Sequence, residues 1–309
     1  MRLKACLFGV VVSAALAAPA FAQEIRQVKM IYSAVSGFAS SFVAQEQGIF
    51  KKHNIDVDFQ LTNNTGNSPA AVVSNSVQIA GTTMSTVLQA VDAGLDLVLF
   101  SGGGVYPLEG DILVARPGSG IQKPTDLKGK TVGVPGLNAF LHFMMVRHLR
   151  TNGVDPATVK FVEVGFVQSA DALKSGQIDA FPAVAPFSSR IIQSGAGYEV
   201  ANWLKDTPDG TLTVVYGATR LWANANKDLI AAFRKGLKEG TEVIKKDRDA
   251  YNVATAKYTK LPPPVVAAVP PPNLIVDMTP AQVKWWVDLA KEQGVIKSDI
   301  PADKLLFQP

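Results

Sequence analysis

Short apolar runs alternate with stretches of helical period along most of this chain. The alternation predicts strands over 28–32, 55–61, 77–80 and 97–101, with helices over 40–50 and 82–93 between them. The 55–61 segment has period two: Asp56, Asp58 and Gln60 face away from Val57, Phe59 and Leu61. The same grammar returns further on, with strands over 112–115, 131–134, 159–164 and 178–181. Helices over 139–152 and 170–175 separate them, closed by Gly153 and Gly176. An apolar extended run covers 212–217. Beyond it the chain turns helical, with Leu229, Ile230, Phe233, Leu237, Val243 and Ile244 on one face. Proline clusters at 262–264 and 270–272 interrupt that region, and Thr279-Pro280 opens a last helix as N-cap and first residue. Strands that alternate with helices predict an α/β protein whose mainly parallel sheets are covered by helices.

Composition narrows this further. A chain of 309 residues, 47% apolar and 18% charged, can bury a large core and divides more readily into two lobes than it enlarges one. A net charge of +4, without a Lys/Arg run longer than two, argues against a nucleic-acid partner. Residues 1–22 read as an export leader: Arg2 and Lys4, an apolar stretch over 7–16, then Ala20-Phe21-Ala22 as the cleavage signal before Gln23. The single cysteine, Cys6, lies in that leader, so the mature chain is expected to have no thiol chemistry and no disulfide.

Three segments resemble a known family. Asp126-Leu127-Lys128-Gly129-Lys130-Thr131-Val132-Gly133-Val134-Pro135-Gly136 resembles the start of the second lobe in type II solute-binding proteins of ABC importers. Phe161-Val162-Glu163-Val164, followed by Ala172-Leu173-Lys174-Ser175-Gly176-Gln177-Ile178-Asp179-Ala180-Phe181, is similar to the next segment of the nitrate/sulfonate/taurine branch. Ala44-Gln45-Glu46-Gln47-Gly48-Ile49-Phe50 ahead of Ile55-Asp56-Val57 matches that branch's amino-terminal pattern. The resemblance covers nearly the whole mature chain. It implies the two-lobed type II periplasmic-binding-protein fold, each lobe a mainly parallel sheet flanked by helices, with solute held between the lobes. Lobe one would be 24–111 plus 215–309 and lobe two 112–214, with crossings near 111–114 and 213–217. It implies a periplasmic protein that closes on solute by a hinge and then docks on a membrane permease. A monomer is expected.

Ligands of open α/β sheets sit beyond the carboxyl ends of the strands. The segments expected there are 33–42, 62–68, 81–86, 101–106, 135–141, 165–169 and 181–187. They hold Ser, Thr, Asn, Gly and Phe, and no Asp, Glu, Lys, Arg or His. The candidate ligand contacts are Ser36, Gly37, Phe38, Asn64, Thr82, Thr83, Gly136, Asn138, Phe166 and Phe181. Helix starts near Ser40, Thr82 and Ala139 offer main-chain N–H groups to an anion. Flat aromatic neighbours suit a carbon skeleton better than a bare inorganic ion. A small organic sulfonate or carboxylate is therefore expected. Glu109 and Asp111 stand close enough in sequence to reach the rim, which leaves an amine open.

The remaining features read as structural. Gly102-Gly103-Gly104 lacks the Gly-Lys-Ser/Thr that completes a phosphate loop, and a flexible connection is expected there. Trp285 and Trp286 are expected to serve packing. Enzymatic readings fare poorly: there is no Gly-x-Ser-x-Gly elbow, and the cleft segments hold no paired carboxylates. His142 and His148, six residues apart, would point about 120° apart on a helix, unlike a zinc pair. Pyrimidine synthases of thiamine biosynthesis look similar over the same segments, but use a cysteine-rich iron motif that the mature chain lacks. Binding of a thiamine-precursor pyrimidine, and solute sensing for a receptor, stand as alternatives. No metal, cofactor or catalytic residue is expected.

Overall fold

The computed structural model of the protein describes residues 25–106, 109–205 and 207–309. The leader expected at 1–22 lies outside the described residues. Within them the strands are β1 (Arg26–Tyr32), β2 (Ile55–Leu61), β3 (Ile79–Thr82), β4 (Leu97–Gly102), β5 (Gly104–Val105) and β6 (Ile112–Ala115). They continue as β7 (Thr131–Val134), β8 (Lys160–Glu163), β9 (Ala180–Ala183), β10 (Tyr198–Ala201), β11 (Val215–Thr219) and β12 (Asn273–Leu274).

Ten of these strands make two five-stranded sheets, ordered β2-β1-β3-β11-β4 and β10-β6-β9-β7-β8. In the first, β11 runs antiparallel between β3 and β4, while β1 pairs in parallel with β2 and β3. In the second, β6 runs antiparallel between β9 and β10, while β7 pairs in parallel with β8 and β9. Each sheet thus has one reversed strand, and in both it is the strand that follows the chain's passage from the other lobe. Helices cover the faces, as parallel strands with apolar residues on both sides require.

The segments quoted for the family resemblance hold this architecture together. Asp126 accepts from the N–H groups of Gln122 and Lys123 at the turn where Pro124–Leu127 begins, and those bonds hold its carboxyl below the usual range. Leu127 is fully buried beneath that turn. Gly176, at φ +75°, ends the Ser169–Ser175 helix in a left-handed conformation that a side chain would strain. Asp179 then ties three segments. It accepts two hydrogen bonds from Arg116, at 2.9 and 3.1 Å, and one from the Thr131 N–H at 2.9 Å.

Lobe one is closed by the amphipathic Lys227–Lys246 helix, which buries Leu229, Ile230, Phe233, Leu237 and Ile244 at helical spacing. Phe233 stacks on Phe50 with ring centroids 4.9 Å apart. Gly236 and Gly240 let this helix approach the chain beneath it. A Cβ added at Gly240 would lie 2.3 Å from the Ser40 carbonyl oxygen.

Several elements depart from the sequence expectation. The strand expected over 77–80 begins at Ile79 and runs on through Gly81 and Thr82, because both pair with β11. The apolar run over 212–217 is divided: β11 starts at Val215, whereas Leu212 bridges Val105. The Phe187–Gln193 helix and β10 carry no clear period in the sequence and were not foreseen. Pro263 starts a short helix, Pro263–Ala267, where only a break was expected.

The glycine run is not a flexible connection. β5 pairs with β12, and the Gly104 carbonyl accepts from both the N–H and the hydroxyl of Thr213, at 2.9 and 2.7 Å. A Cβ at Gly103 would meet Val214 at 2.7 Å and the Gly37 carbonyl oxygen at 2.9 Å. One at Gly104 would lie 2.9 Å from the Gly37 Cα. Close backbone approach at the interlobe passage is what requires glycine here.

Candidate functional site

The passage between the lobes opens onto a partly open cavity. Ser33, Val35, Ser36, Gly37, Thr83, Thr213 and Val214 come to it from lobe one and the crossing. Pro135, Phe140, Leu141, Phe166, Val184 and Ala185 come from the other side, and Asp111 from the first crossing. The free space is about 40 Å³, enough for a few waters but not for a ring. The lobes are closed over it. Ser36 donates to the Ala185 carbonyl at 3.3 Å, Gln89 to the Asn138 carbonyl at 2.7 Å, and Asn64 to the Glu163 carboxylate at 3.5 Å. A larger solute enters only when these bonds part.

Two helices begin at the cavity. Thr83 is the N-cap of Met84–Asp92, and its hydroxyl meets those of Ser85 and Thr86 at 3.2 and 3.0 Å instead of capping the helix. Ala139, which has no side chain that can cap, precedes Phe140–Thr151. Both helix starts therefore keep the partial positive charge of uncapped N–H groups. Asn138 sits just before the second helix at φ +62°, and its N–H donates to His142 Nδ1 at 2.8 Å. Burial lowers the His142 pKa.

Of the residues expected at the site, Ser36, Gly37, Thr83 and Phe166 line the cavity. Phe38 and Phe181 do not: both are fully buried in the core, Phe38 edge-on to Tyr216 and Phe181 edge-on to Phe166. Thr82 lies inside β3, buried, its hydroxyl without a partner among the described residues. Gly136 follows the lining residue Pro135 without itself reaching the wall. Asn64 and Asn138 stand where the lobes meet, Asn138 on a separate groove with Gly66 and Gln89. Among the described residues no group of three or more His, Cys, Asp and Glu is placed to hold a metal ion.

The expectation of a wall without ionisable groups needs correction. Asp111 forms part of it. Its side chain is 2% exposed, and neither carboxyl oxygen has a hydrogen-bond partner among the described residues. Burial pushes its pKa up to about 8. The Ala185 N–H is turned toward it and pulls weakly the other way, without hydrogen-bond geometry. The place of Asp111 in the wall follows from the direction of β6. β6 runs antiparallel to its neighbours, so its first residues, not its last, stand at the carboxyl edge of the sheet. Asp111 precedes β6 there, as Thr213 and Val214 precede β11 in the other lobe.

Two sheets with one reversed strand each, joined by a double passage over a cavity, define the periplasmic-binding-protein fold. The sequence profile of the NMT1/THI5-like family matches residues 36–250. The chain belongs to that family. It is 27% identical over 173 residues to a provisionally named thiamine biosynthesis protein of Haemophilus influenzae, an alignment covering 56% of this chain and 54% of the relative. The chain spans about half the length of that relative. The alkanesulfonate-binding protein SsuA of Xanthomonas axonopodis, solved with MOPS bound, superposes with a TM-score of 0.76 at 20% identity, over 93% of this chain and 99% of the other. The desulfurization enzyme DszB superposes with a TM-score of 0.69 at 13% identity, over 91% and 96%. At such identities the likeness concerns the fold alone.

Proposed function

We propose that this chain is the solute-binding subunit of an ABC importer, acts in the periplasm, and delivers a small organic solute to a membrane permease by closing its lobes. The observation that carries this reading is the cavity itself, walled from both lobes beside the interlobe passage and sealed by hydrogen bonds that cross the cleft. Solute captured there bridges the lobes, so binding free energy favours the closed form that a permease can recognise. The wall carries one carboxyl and four hydroxyls in an otherwise apolar lining, a surface suited to holding a small organic solute.

The acceptor end of the solute, a carboxylate or sulfonate as the sequence suggests, is assigned to the two uncapped helix starts at Thr83 and Phe140. Its body lies against Phe140, Phe166, Val184 and Val214. A thiamine-precursor pyrimidine is the second reading. The flat aromatic wall and the relative named for thiamine biosynthesis favour it. Calorimetric titration of the mature chain with aliphatic and aromatic carboxylates, sulfonates and pyrimidines separates the two. Thr83→Val is expected to weaken the solute found about tenfold, the effect of one lost hydrogen bond to a charged group. An unchanged Kd in Thr83→Val removes this helix start from the site.

A further inference from the structure

Asp111 stands between two spaces. One is the cavity between the lobes. The other is an open groove that it shares with Glu109, Glu199, Ser188 and Asn202. Among the described residues neither space is lined by a Lys, Arg or His, so the charged groups facing Asp111 are the two glutamates, which repel its ionised form. Apart from the Ala185 N–H that is turned toward it, no group among the described residues answers the carboxyl, and neither oxygen has a partner at hydrogen-bond geometry. Where this fold uses a half-buried acid structurally it satisfies it, as Arg116 and the Thr131 N–H satisfy Asp179. An unanswered acid at the wall of a cavity is what a site has before its ligand supplies the missing donor.

We infer that Asp111 sets the specificity of this cavity and that the solute carries a basic nitrogen, an amine or an amino-substituted ring, which donates to its carboxylate. The inference rests on reading the cavity as the solute site. A charge-assisted hydrogen bond formed in a largely apolar wall is strong, and it holds only ligands whose nitrogen reaches the acid. The glutamates of the adjoining groove attract such a cation toward Asp111 and repel a plain anion. The hydroxyls of Ser33, Ser36, Thr83 and Thr213 serve neutral and charged solutes alike, so discrimination falls to Asp111.

Isothermal titration of the mature chain with benzylamine, 4-aminopyrimidine, benzyl alcohol and benzoate tests this. At least one of the nitrogen probes is expected to bind tenfold or more tighter than benzyl alcohol. Asp111→Asn should lose that advantage while its circular dichroism stays as in the wild type. Nitrogen probes that bind no better than the alcohol, or not at all, overturn the inference, as does an Asp111→Asn protein that binds them undiminished. A cavity-filling Val184→Phe variant tests the underlying reading separately. Benzoate binding that Val184→Phe abolishes, with no binding of the nitrogen probes, leaves the cavity as the site and removes only the role of Asp111. Probes that bind Val184→Phe as tightly as the wild type overturn both.

Discussion

Between pH 4 and pH 7 the ligand-free protein is expected to lose about 4 kcal/mol of stability through Asp111 alone, and Asp111→Asn should abolish that loss. The sign follows from linkage. In the unfolded chain the group titrates near its ordinary value of 3.8, while burial raises it to about 8 in the fold. Below the lower value both states hold the proton and nothing is lost. Between the two values the unfolded chain releases a proton that the folded chain keeps, so stability falls with each pH unit. Above the upper value the loss is complete. The exposed carboxyls lowered by hydrogen bonds, Asp92 and Asp126 among them, act in a different window: their contribution disappears only as pH falls below about 4. His142, lowered by burial, acts in the opposite sense, since its contribution is lost as pH drops below its unfolded value of 6.5. The difference between wild type and Asp111→Asn cancels these other contributions and isolates Asp111. Thermal melts of wild type and Asp111→Asn across pH 4–8 are expected to diverge by on the order of 10 °C at the upper end. Parallel curves would mean that the acid is answered by a group inside the protein.

Gly240→Ala is expected to destabilise the protein by about 1–3 kcal/mol, against the usual direction for a helix interior. Alanine normally gains about 1 kcal/mol over glycine there. At Gly240 the new methyl would meet the Ser40 carbonyl oxygen at 2.3 Å and its carbon at 3.2 Å. Main chain cannot swing aside as a side chain can, so the Ala39–Glu46 helix must shift as a body. That helix carries Ser36 and Gly37 at its leading end, and the shift should weaken solute binding as well as stability. Gly236→Ala is the control. Its methyl would meet ring atoms of Phe50 at 2.6 Å, and a ring can turn, so a smaller loss is expected. Urea unfolding of the two variants side by side measures the difference. Equal losses would show that the two helices are not held backbone to backbone.

Much of the fold was legible because its signals are local. Alternation gave β1, β2 and β7 nearly to the residue, and Gly176 marked a helix end through a conformation that favours glycine. The resemblance motifs were informative for a related reason: Asp126 and Asp179 fasten a turn and strand ends of this fold through local main-chain bonds. The site was only half legible. A phenylalanine beside a cleft and one beneath it have the same neighbours in sequence, so Phe166 could not be told from Phe38 and Phe181. Asn64 and Asn138 were polar residues in the right loops, yet they fasten lobe to lobe instead of facing the cavity. Asp111 was legible only as a residue near the rim, because it precedes a reversed strand and so comes to the cavity wall from the strand's start. Strand direction is set by pairing across the sheet, which a single segment does not encode.

The Pro280–Glu292 helix gives the molecule a built-in optical gauge. Trp286 is fully buried at the passage, donates its indole N–H to the Leu212 carbonyl at 3.1 Å, and touches Phe140 and Phe143 with ring centroids 5.8 and 5.6 Å away. Trp203 meets the same Phe140 at 5.9 Å, within one lobe. Phe140 lines the cavity across from the lobe that carries Trp286, so parting the lobes exchanges an aromatic neighbour of Trp286 for water. Its emission should shift to the red on opening and return to the blue as solute is taken up, while Trp203 keeps its neighbour, which lets the motion be followed in unlabelled protein.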